Sequence, residues 1–273
     1  MKTIAEILKD NNFRFNKQFG QNFITDTNLL DAMVTDSGVT AEDIVVEIGT
    51  GAGTLTRAIS KVAKKVISFE IDRNLKDILD ITLQGVENVE VVFRDIMKVT
   101  DEELREIVGS KKYKVVANLP YYITTPIIMR FLEGNFKPET LSIMVQKEVA
   151  ERLVAKANTP DYGAITAVVE LYAKAEITRI VGKNNFYPVP KVDSSVIRLD
   201  IDENRYICDK EKVKKIIKAS FAMRRKTLVN NLMNLGLSRE LIESTLTSLN
   251  MDTRVRGEAL NLNDYITLAE KLL

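Results

Sequence analysis

Two acids and a run of glycines in this sequence are spaced as a small-molecule site would need them. The stretch Glu47-Ile-Gly-Thr-Gly-Ala-Gly53 places glycines at 49, 51 and 53 directly after a short apolar run. Glycine lets a chain turn tightly at a strand end and lets its backbone approach a ligand closely. The dinucleotide fingerprint Gly-x-Gly-x-x-Gly/Ala fails here, because counting from Gly49 and Gly51 its last place falls on Thr54. A nucleotide loop of another kind and a plain tight turn both stay open. Glu70 ends the next apolar run, about 20 residues past the glycines, where a carboxylate can accept both hydroxyls of a ribose. Asp95 ends the third run in the same way and can accept from an adenine amino group. Each acid alone also reads as a solvated carboxylate at a strand end. Open α/β sheets bind ligands outside the carboxyl ends of their strands, and these residues all fall there.

The fourth run ends in Asn118-Leu-Pro-Tyr121. The amino nitrogen of adenine is a poor nucleophile, since its lone pair is delocalised into the ring and its proton cannot be removed usefully at neutral pH. Two acceptors can help it, the Asn118 side-chain oxygen and a backbone carbonyl beside the proline. Together they hold the amino hydrogens and turn the lone pair toward a methyl donor. Pro120 fixes the turn and offers no competing N–H. Tyr121 supplies a face on which an extruded base can stack. The bland reading is a strand ending in a proline turn with Tyr121 as ordinary packing. Glycines at 49, 51 and 53 match the nucleotide loop of class I methyltransferases, which bind S-adenosylmethionine, and a sulfonium methyl is already activated. The protein's task in such chemistry is in-line positioning.

Composition narrows the alternatives. The 273 residues contain no His, no Trp and one Cys, Cys208. Without His there is no Ser-His-Asp or Cys-His machinery and no His-ligated zinc. A lone cysteine forms no intramolecular disulfide and no cysteine zinc cluster, which fits a reducing cytoplasm. No metal is expected. Lys2, Glu6, Lys9 and Asp10 interrupt the first ten residues, so a signal peptide is not expected. No apolar run approaches the ~20 residues of a membrane helix.

The elements that must position the site alternate. Short apolar runs at 44–48, 65–70, 89–95, 113–118 and 141–145 read as strands. Segments 55–63, 73–83, 101–108 and 126–132 read as helices, the last with Thr125 as its N-cap and Pro126 at its first position. This alternation predicts an α/β fold, a mostly parallel sheet covered on both faces. After a helix at 163–172, runs 173–181 and 195–201 read as strands joined by a proline-bearing loop, an antiparallel hairpin appended to the sheet. From 212 the chain reads as helical, with Gly236 ending one helix, Ser238 capping the next and Asn261 with Asp264 capping the last. Charge divides in the same place. Residues 203–273 hold 13 Lys and Arg against 9 Asp and Glu, whereas the whole chain is nearly balanced at +1. The expected organisation is a nucleotide-binding domain over 1–202 and a helical, RNA-binding domain over 203–273.

With these motifs in order the chain resembles the KsgA family of ribosomal RNA adenine dimethyltransferases, from about residue 15 to the end. Phe19-Gly-Gln-Asn-Phe-Ile24, Glu47 to Gly53, Asn118-Leu-Pro-Tyr-Tyr-Ile123 and Gln146-Lys-Glu-Val149 are similar to that family's signatures. So are Phe186-Tyr-Pro-Val-Pro-Lys-Val-Asp-Ser-Ser195 and Ser220-Phe-Ala-Met-Arg-Arg-Lys-Thr-Leu-Val-Asn-Asn231. The resemblance implies a class I methyltransferase fold with a seven-stranded sheet and a small all-α domain. It implies that Asn22, Ile24, Gly49, Gly51, Glu70, Asp95 and Asn118 bind S-adenosylmethionine. It implies that Asn118, Leu119, Pro120 and Tyr121 hold the target adenine. The implied reaction places two methyl groups on N6 of each of two adjacent adenines near the 3′ end of small-subunit (16S) ribosomal RNA, in the immature subunit, by a cytoplasmic monomer. Gly257 departs from the family, which usually has Ala there, and puts local helix geometry in question.

Two charged or aromatic segments extend the reading. Phe13, Phe15, Phe19 and Phe23 interleave with Arg14 and Lys17, which suits either a nucleic-acid surface or a hydrophobic strap over the core. Residues 210–226 hold eight cations against Glu211 alone. Arg224, Arg225 and Lys226 are contiguous and can pair phosphates, although charged helix faces are commonly just solvated. Three competitors remain: an Erm-type enzyme acting on large-subunit RNA, an assembly factor that only binds RNA, and a nicotinamide oxidoreductase. The 186–195 signature and the 224–226 cluster argue against the first. Methyl transfer to immature small-subunit RNA separates the enzyme from the second. Thr54 and the 118–121 motif argue against the third.

Overall fold

A computed structural model of the chain describes residues 3–11, 13 and 22–273. The chain divides into two compact units, 1–150 with 176–201, and 151–175 with 202–273. The elements run α1 (Ile4–Asp10), β1 (Phe23–Ile24), α2 (Thr27–Asp36), β2 (Ile44–Ile48), α3 (Thr54–Ser60), β3 (Lys65–Phe69), α4 (Lys76–Thr82), β4 (Val89–Val92), α5 (Asp101–Val108), β5 (Lys114–Asn118), α6 (Thr124–Glu133) and β6 (Thr140–Gln146). Then follow α7 (Lys147–Leu153), α8 (Ala164–Tyr172), β7 (Ala173–Val181), β8 (Phe186–Tyr187) and β9 (Ser194–Ile201). Helices α9 (Lys210–Ser220), α10 (Leu228–Leu232), α11 (Arg239–Ser248) and α12 (Leu262–Leu272) complete the chain.

The first unit is built on a seven-stranded sheet in the order β4-β3-β2-β5-β6-β9-β7. Strands β4, β3, β2, β5 and β6 pair in parallel, and β9 pairs antiparallel to β6. The central strands read as continuous apolar runs because helices cover both faces, and Val45, Val46, Val66, Ile67, Val115 and Val116 are all buried. The chain steps outward from β2 through β3 to β4, then returns to the other side of β2 for β5 and β6. That reversal opens a crevice at the carboxyl ends of β2 and β5. The expected hairpin is present with its strands inserted in reverse, β9 against β6 and β7 at the edge.

Among the differences from the sequence reading, two bear on the site. Helix α6 starts at Thr124, with Ile123 rather than Thr125 at its cap and no side-chain cap bond. A 3-10 turn, Tyr121–Ile123, winds straight into it. Pro126 is tolerated in that first turn because the first four helical N–H groups have no acceptor within the helix. The second difference is a small additional sheet: β1 pairs antiparallel with β8, Phe23 opposite Tyr187 and Ile24 opposite Phe186.

In the second unit the predicted caps are present. Ser238 accepts from Leu241 N–H, Asn261 and Asp264 form a reciprocal capping box, and Gly236 adopts φ +82°. Residues 151–175 belong to this unit, which a single break at residue 202 does not allow for. The reason lies in α8, where Thr166, Ala167, Val168, Val169, Leu171 and Tyr172 are all buried. A helix with so little polar face needs cover on several sides, and α9 and α12 both pack against it. Gly257 has a local explanation. A Cβ there would lie 2.8 Å from the Ser220 carbonyl oxygen, so the alanine usual at this place would force that backbone apart.

Among the described residues no helix is long and apolar enough to cross a membrane, and no group of three or more His, Cys, Asp or Glu is placed to hold a metal.

Candidate active site

The glycine loop leaves β2 and is tied at once to β3, with the N–H groups of Gly49 and Thr50 donating to the Phe69 carbonyl at 2.8 and 3.3 Å. Glycine is required at 51 and 53 for two reasons. Both have positive φ, +55° and +78°. A Cβ on Gly51 would also lie 3.0 Å from the Phe23 ring, and one on Gly53 would lie 2.8 Å from Thr82 Oγ1. The first glycine seats the β1 segment on the loop and the second lets α4 close in.

Glu70, 5 % exposed, organises this corner. Its Oε2 accepts from Gly51 N–H at 2.8 Å, and its Oε1 accepts from Ile71 and Asp72 N–H, each at 2.8 Å. Burial raises its pKa, partly offset by these three donors. Each carboxylate oxygen has two acceptor positions, so Oε1 is filled by its two donors and Oε2 keeps one position for a hydroxyl donor. Asp95 caps a 3-10 turn through Oδ1, which accepts from Met97 N–H at 3.0 Å.

Asn118 ends β5, and its Nδ2 donates to the Asn22 carbonyl at 3.0 Å. That bond decides which way the amide faces: the nitrogen end is spent on the β1 segment and Oδ1 is left as the acceptor. Leu119 buries its side chain, so only its backbone can meet a ligand. Pro120 continues the turn in extended backbone, φ −58° and ψ 133°. Tyr121 is half-buried, its hydroxyl 2.9 Å from Ser194 Oγ.

One cavity is lined by Asn22, Ile24, Gly49, Gly51, Glu70, Asp95, Asn118, Leu119, Pro120 and Tyr121. These are all the residues that the sequence assigned to the cofactor or the target adenine; Gly53 of the glycine loop does not line it. Residues 19–21 of the N-terminal signature, with Arg14, Phe15 and Lys17, lie outside the described residues. Of the aromatic set, Phe13 and Phe23 are described, their ring centroids 6.3 Å apart. The sequence reading missed the β1–β8 pairing and Ser194. The 19–24 and 186–195 signatures hinted at both, but nothing local says that segments about 160 residues apart form one ladder.

Arg224, Arg225 and Lys226 lie in the second unit, exposed, between α9 and α10. Arg224 Nη2 donates to the Pro160 carbonyl at 3.2 Å. Part of the basic stretch is structural. Lys214 is buried against Glu211 at 2.6 Å, Lys212 donates to the Leu273 carbonyl, and Lys210 donates to the Glu203 carbonyl. Lys215, Lys218, Arg225 and Lys226 are exposed.

Beneath the loop Glu47 is fully buried. Its Oε2 accepts from Thr56 Oγ1 at 2.6 Å and Ser68 Oγ at 2.7 Å, while Oε1 has no partner. Burial pushes its pKa up to about 8, against the lowering effect of the two hydroxyls. A carboxyl that holds its proton more tightly when folded loses stability as pH rises above the ordinary carboxylate range, because the unfolded chain ionises first. The loss is complete once pH passes about 8. Glu47→Gln, a neutral near-isostere, is therefore expected to match the wild-type melting temperature near pH 4. Its advantage should then grow by up to about 1.4 kcal/mol per pH unit toward pH 8. Parallel melting profiles of the two proteins across that range would contradict this.

The sheet order, the glycine loop at the crevice and the acids at successive strand ends define a class I methyltransferase. The chain belongs to the ribosomal RNA adenine dimethylase family, whose sequence model matches residues 12–272. It is 44% identical over 268 residues to the ribosomal RNA small subunit methyltransferase A of Clostridioides difficile (strain 630), covering 97% of this chain and 93% of that one. Among solved structures it is similar to a dimethyladenosine transferase from Plasmodium falciparum, with TM-score 0.77, 26% identity and coverage of 90% and 95% of the two chains. It is also similar to the 23S rRNA methyltransferase ErmE, with TM-score 0.71, 25% identity and coverage of 92% and 99%.

Proposed function

We propose that the protein transfers methyl groups from S-adenosylmethionine to N6 of two adjacent adenines near the 3′ end of small-subunit ribosomal RNA, acting as a cytoplasmic monomer on the immature subunit. The observation that carries this is the Asn118 amide, turned by the Asn22 carbonyl so that Oδ1 remains as an acceptor, in the same cavity as the glycine loop and Glu70. The residues fit the cofactor. Gly49 and Gly51 would let its backbone contacts form, Glu70 would accept a ribose hydroxyl through Oε2, Asp95 would accept from its adenine amino group, and Asn22 and Ile24 would cover it. When bound, S-adenosylmethionine supplies an electrophilic sulfonium methyl.

The chain's own contribution is orientation. Asn118 Oδ1 and the Leu119 carbonyl accept the two amino hydrogens of the target adenine, which directs the nitrogen lone pair to the donor side. Tyr121 stacks the extruded base. No group has to remove a proton before transfer. The methylated nitrogen is acidic and loses its proton to water afterwards. The small-subunit target is supported by the relatives' names and by 44% identity over nearly the whole chain. The fold alone does not choose, since a large-subunit enzyme is also similar. Transfer of tritium from labelled S-adenosylmethionine to unmethylated small subunits, with the modified bases mapped, tests the proposal. Label on large-subunit RNA alone would favour the Erm-type reading.

The second unit would pair with the RNA backbone. Replacing Arg224, Arg225 and Lys226 with Gln should weaken binding to small subunits and leave cofactor affinity unchanged. For every phosphate that a removed cation had neutralised, the slope of log affinity against log salt should flatten by about 0.7–0.9. An unchanged slope with a lowered melting temperature would mean that the cluster only braces its own unit, as the Arg224–Pro160 bond suggests for one of the three.

A further inference from the structure

Tyr121 belongs to a 3-10 turn, not to a strand. A ring on such a turn can swing about its side-chain torsions unless rigid structure anchors it. Its hydroxyl lies 2.9 Å from Ser194 Oγ. Ser194 opens β9, is 0 % exposed, and sits opposite Gln146 in the β6–β9 ladder. The residue before it is tied twice: the Asp193 carbonyl accepts from Lys147 N–H at 3.1 Å, and its carboxylate accepts from Lys183 N–H at 3.0 Å. The next residue, Ser195, is equally buried, but its hydroxyl has no partner. Side chains alternate across a strand, so only one of the two adjacent serines reaches the tyrosine. Burial raises the Tyr121 pKa and keeps the phenol protonated, so the pair is a neutral hydrogen bond.

We infer that Ser194 is a positioning residue for methyl transfer: its hydroxyl ties the Tyr121 ring to the sheet and so fixes the plane on which the target adenine stacks. The inference rests on the proposed function of this cavity. A phenylalanine would offer the same stacking face, so what the phenol adds is the anchor. Anchoring matters because transfer depends on the base meeting the methyl donor in line, and small misplacements can cost up to about 10²-fold in rate. Cofactor affinity does not depend on the ring plane.

The test uses the full-length protein with Ser194→Ala, Tyr121→Phe, the double variant and Ser195→Ala. Substrates are tritiated S-adenosylmethionine and unmethylated small subunits; the same subunits carrying 2-aminopurine at the target position, which has no 6-amino group to methylate, serve only as the stacking reporter. Ser194→Ala and Tyr121→Phe remove the same bond from opposite sides. Each is expected to lower kcat about 5–50-fold, with the cofactor Kd unchanged within about twofold and with brighter 2-aminopurine fluorescence as stacking loosens. The double variant should be no worse than either single one, because the bond can be removed only once. Ser195→Ala should keep wild-type kcat and fluorescence. If Ser194→Ala does not fold, Tyr121→Phe must show the fall in kcat alone. Wild-type kcat in either single variant, multiplied effects in the double variant, or an equal fall in Ser195→Ala overturns the role of Ser194. Absence of transfer by the wild-type protein overturns the proposed function instead, so the two failures are distinguishable.

Discussion

Asn118→Ala is expected to lower methyl transfer by about 10²–10³-fold at saturating cofactor and RNA, the cost typical of removing one preorganised polar group from an active site. The substitution deletes the acceptor that directs the amino lone pair, and no histidine stands ready to replace that function by deprotonation. It also releases the Asn22 carbonyl, which accepts the Asn118 Nδ2 hydrogen at 3.0 Å. A modest loss of cofactor affinity is therefore part of the expected result. Binding to small subunits should be nearly unchanged, since the proposed backbone pairing belongs to the second unit. Single-turnover transfer measured alongside RNA binding checks both statements. Wild-type turnover at saturation would rule out the role assigned to Asn118.

Glu70→Ala should raise the Kd for S-adenosylmethionine by about 10–100-fold, as expected when hydrogen bonds to a charged acceptor worth about 1.5–3 kcal/mol are removed. At saturating cofactor, kcat should fall far less. Glu70 acts twice in this site, as the acceptor proposed for a ribose hydroxyl and as the partner of Gly51, Ile71 and Asp72 N–H. Glu70→Gln separates these roles, because an amide oxygen can still hold some of the loop donors while the charge is gone. Since burial raises the Glu70 pKa, cofactor affinity of the wild-type protein should weaken as pH falls through that raised value, and Glu70→Gln should lose this dependence. Isothermal titration over pH 5–8 measures it. Unchanged affinity in a folded Glu70→Ala protein would remove Glu70 from the cofactor site.

Much of the site is legible in the sequence because it is built from strand ends, and strand ends announce themselves locally. Val45, Val46 and Ile48 form an apolar run that stops at Gly49, and the runs before Glu70, Asp95 and Asn118 stop in the same way. In a parallel sheet all such ends lie on one side, so a one-dimensional pattern suffices to collect them. The start of α6 is not legible in this way. Its first turn extends the 3-10 turn at Tyr121–Ile123, which depends on where the Asn118–Pro120 turn delivers the chain, and so the helix begins before Thr125. A break at residue 202 follows the change in charge. Helix α8 obeys its own buried apolar surface instead and joins the second unit.

The sequence by itself determined the strand-and-helix alternation, the glycine turn, the acids at successive strand ends and the absence of histidine chemistry, since each depends on residue type and short-range spacing. Tertiary structure alone decided which segments distant in the chain touch. It spends the Asn118 nitrogen on Asn22 across 96 residues and so selects the oxygen as the acceptor. It pairs β1 with β8, seats Phe23 on Gly51, and joins Tyr121 to Ser194 across 73 residues. It also turns part of an apparently uniform basic stretch to structural use, where Lys212 meets the Leu273 carbonyl across 61 residues. None of these is readable from composition or periodicity. A hydrogen bond is set by where two backbones come to lie, and only closure of the sheet and the packing of its helices bring them there.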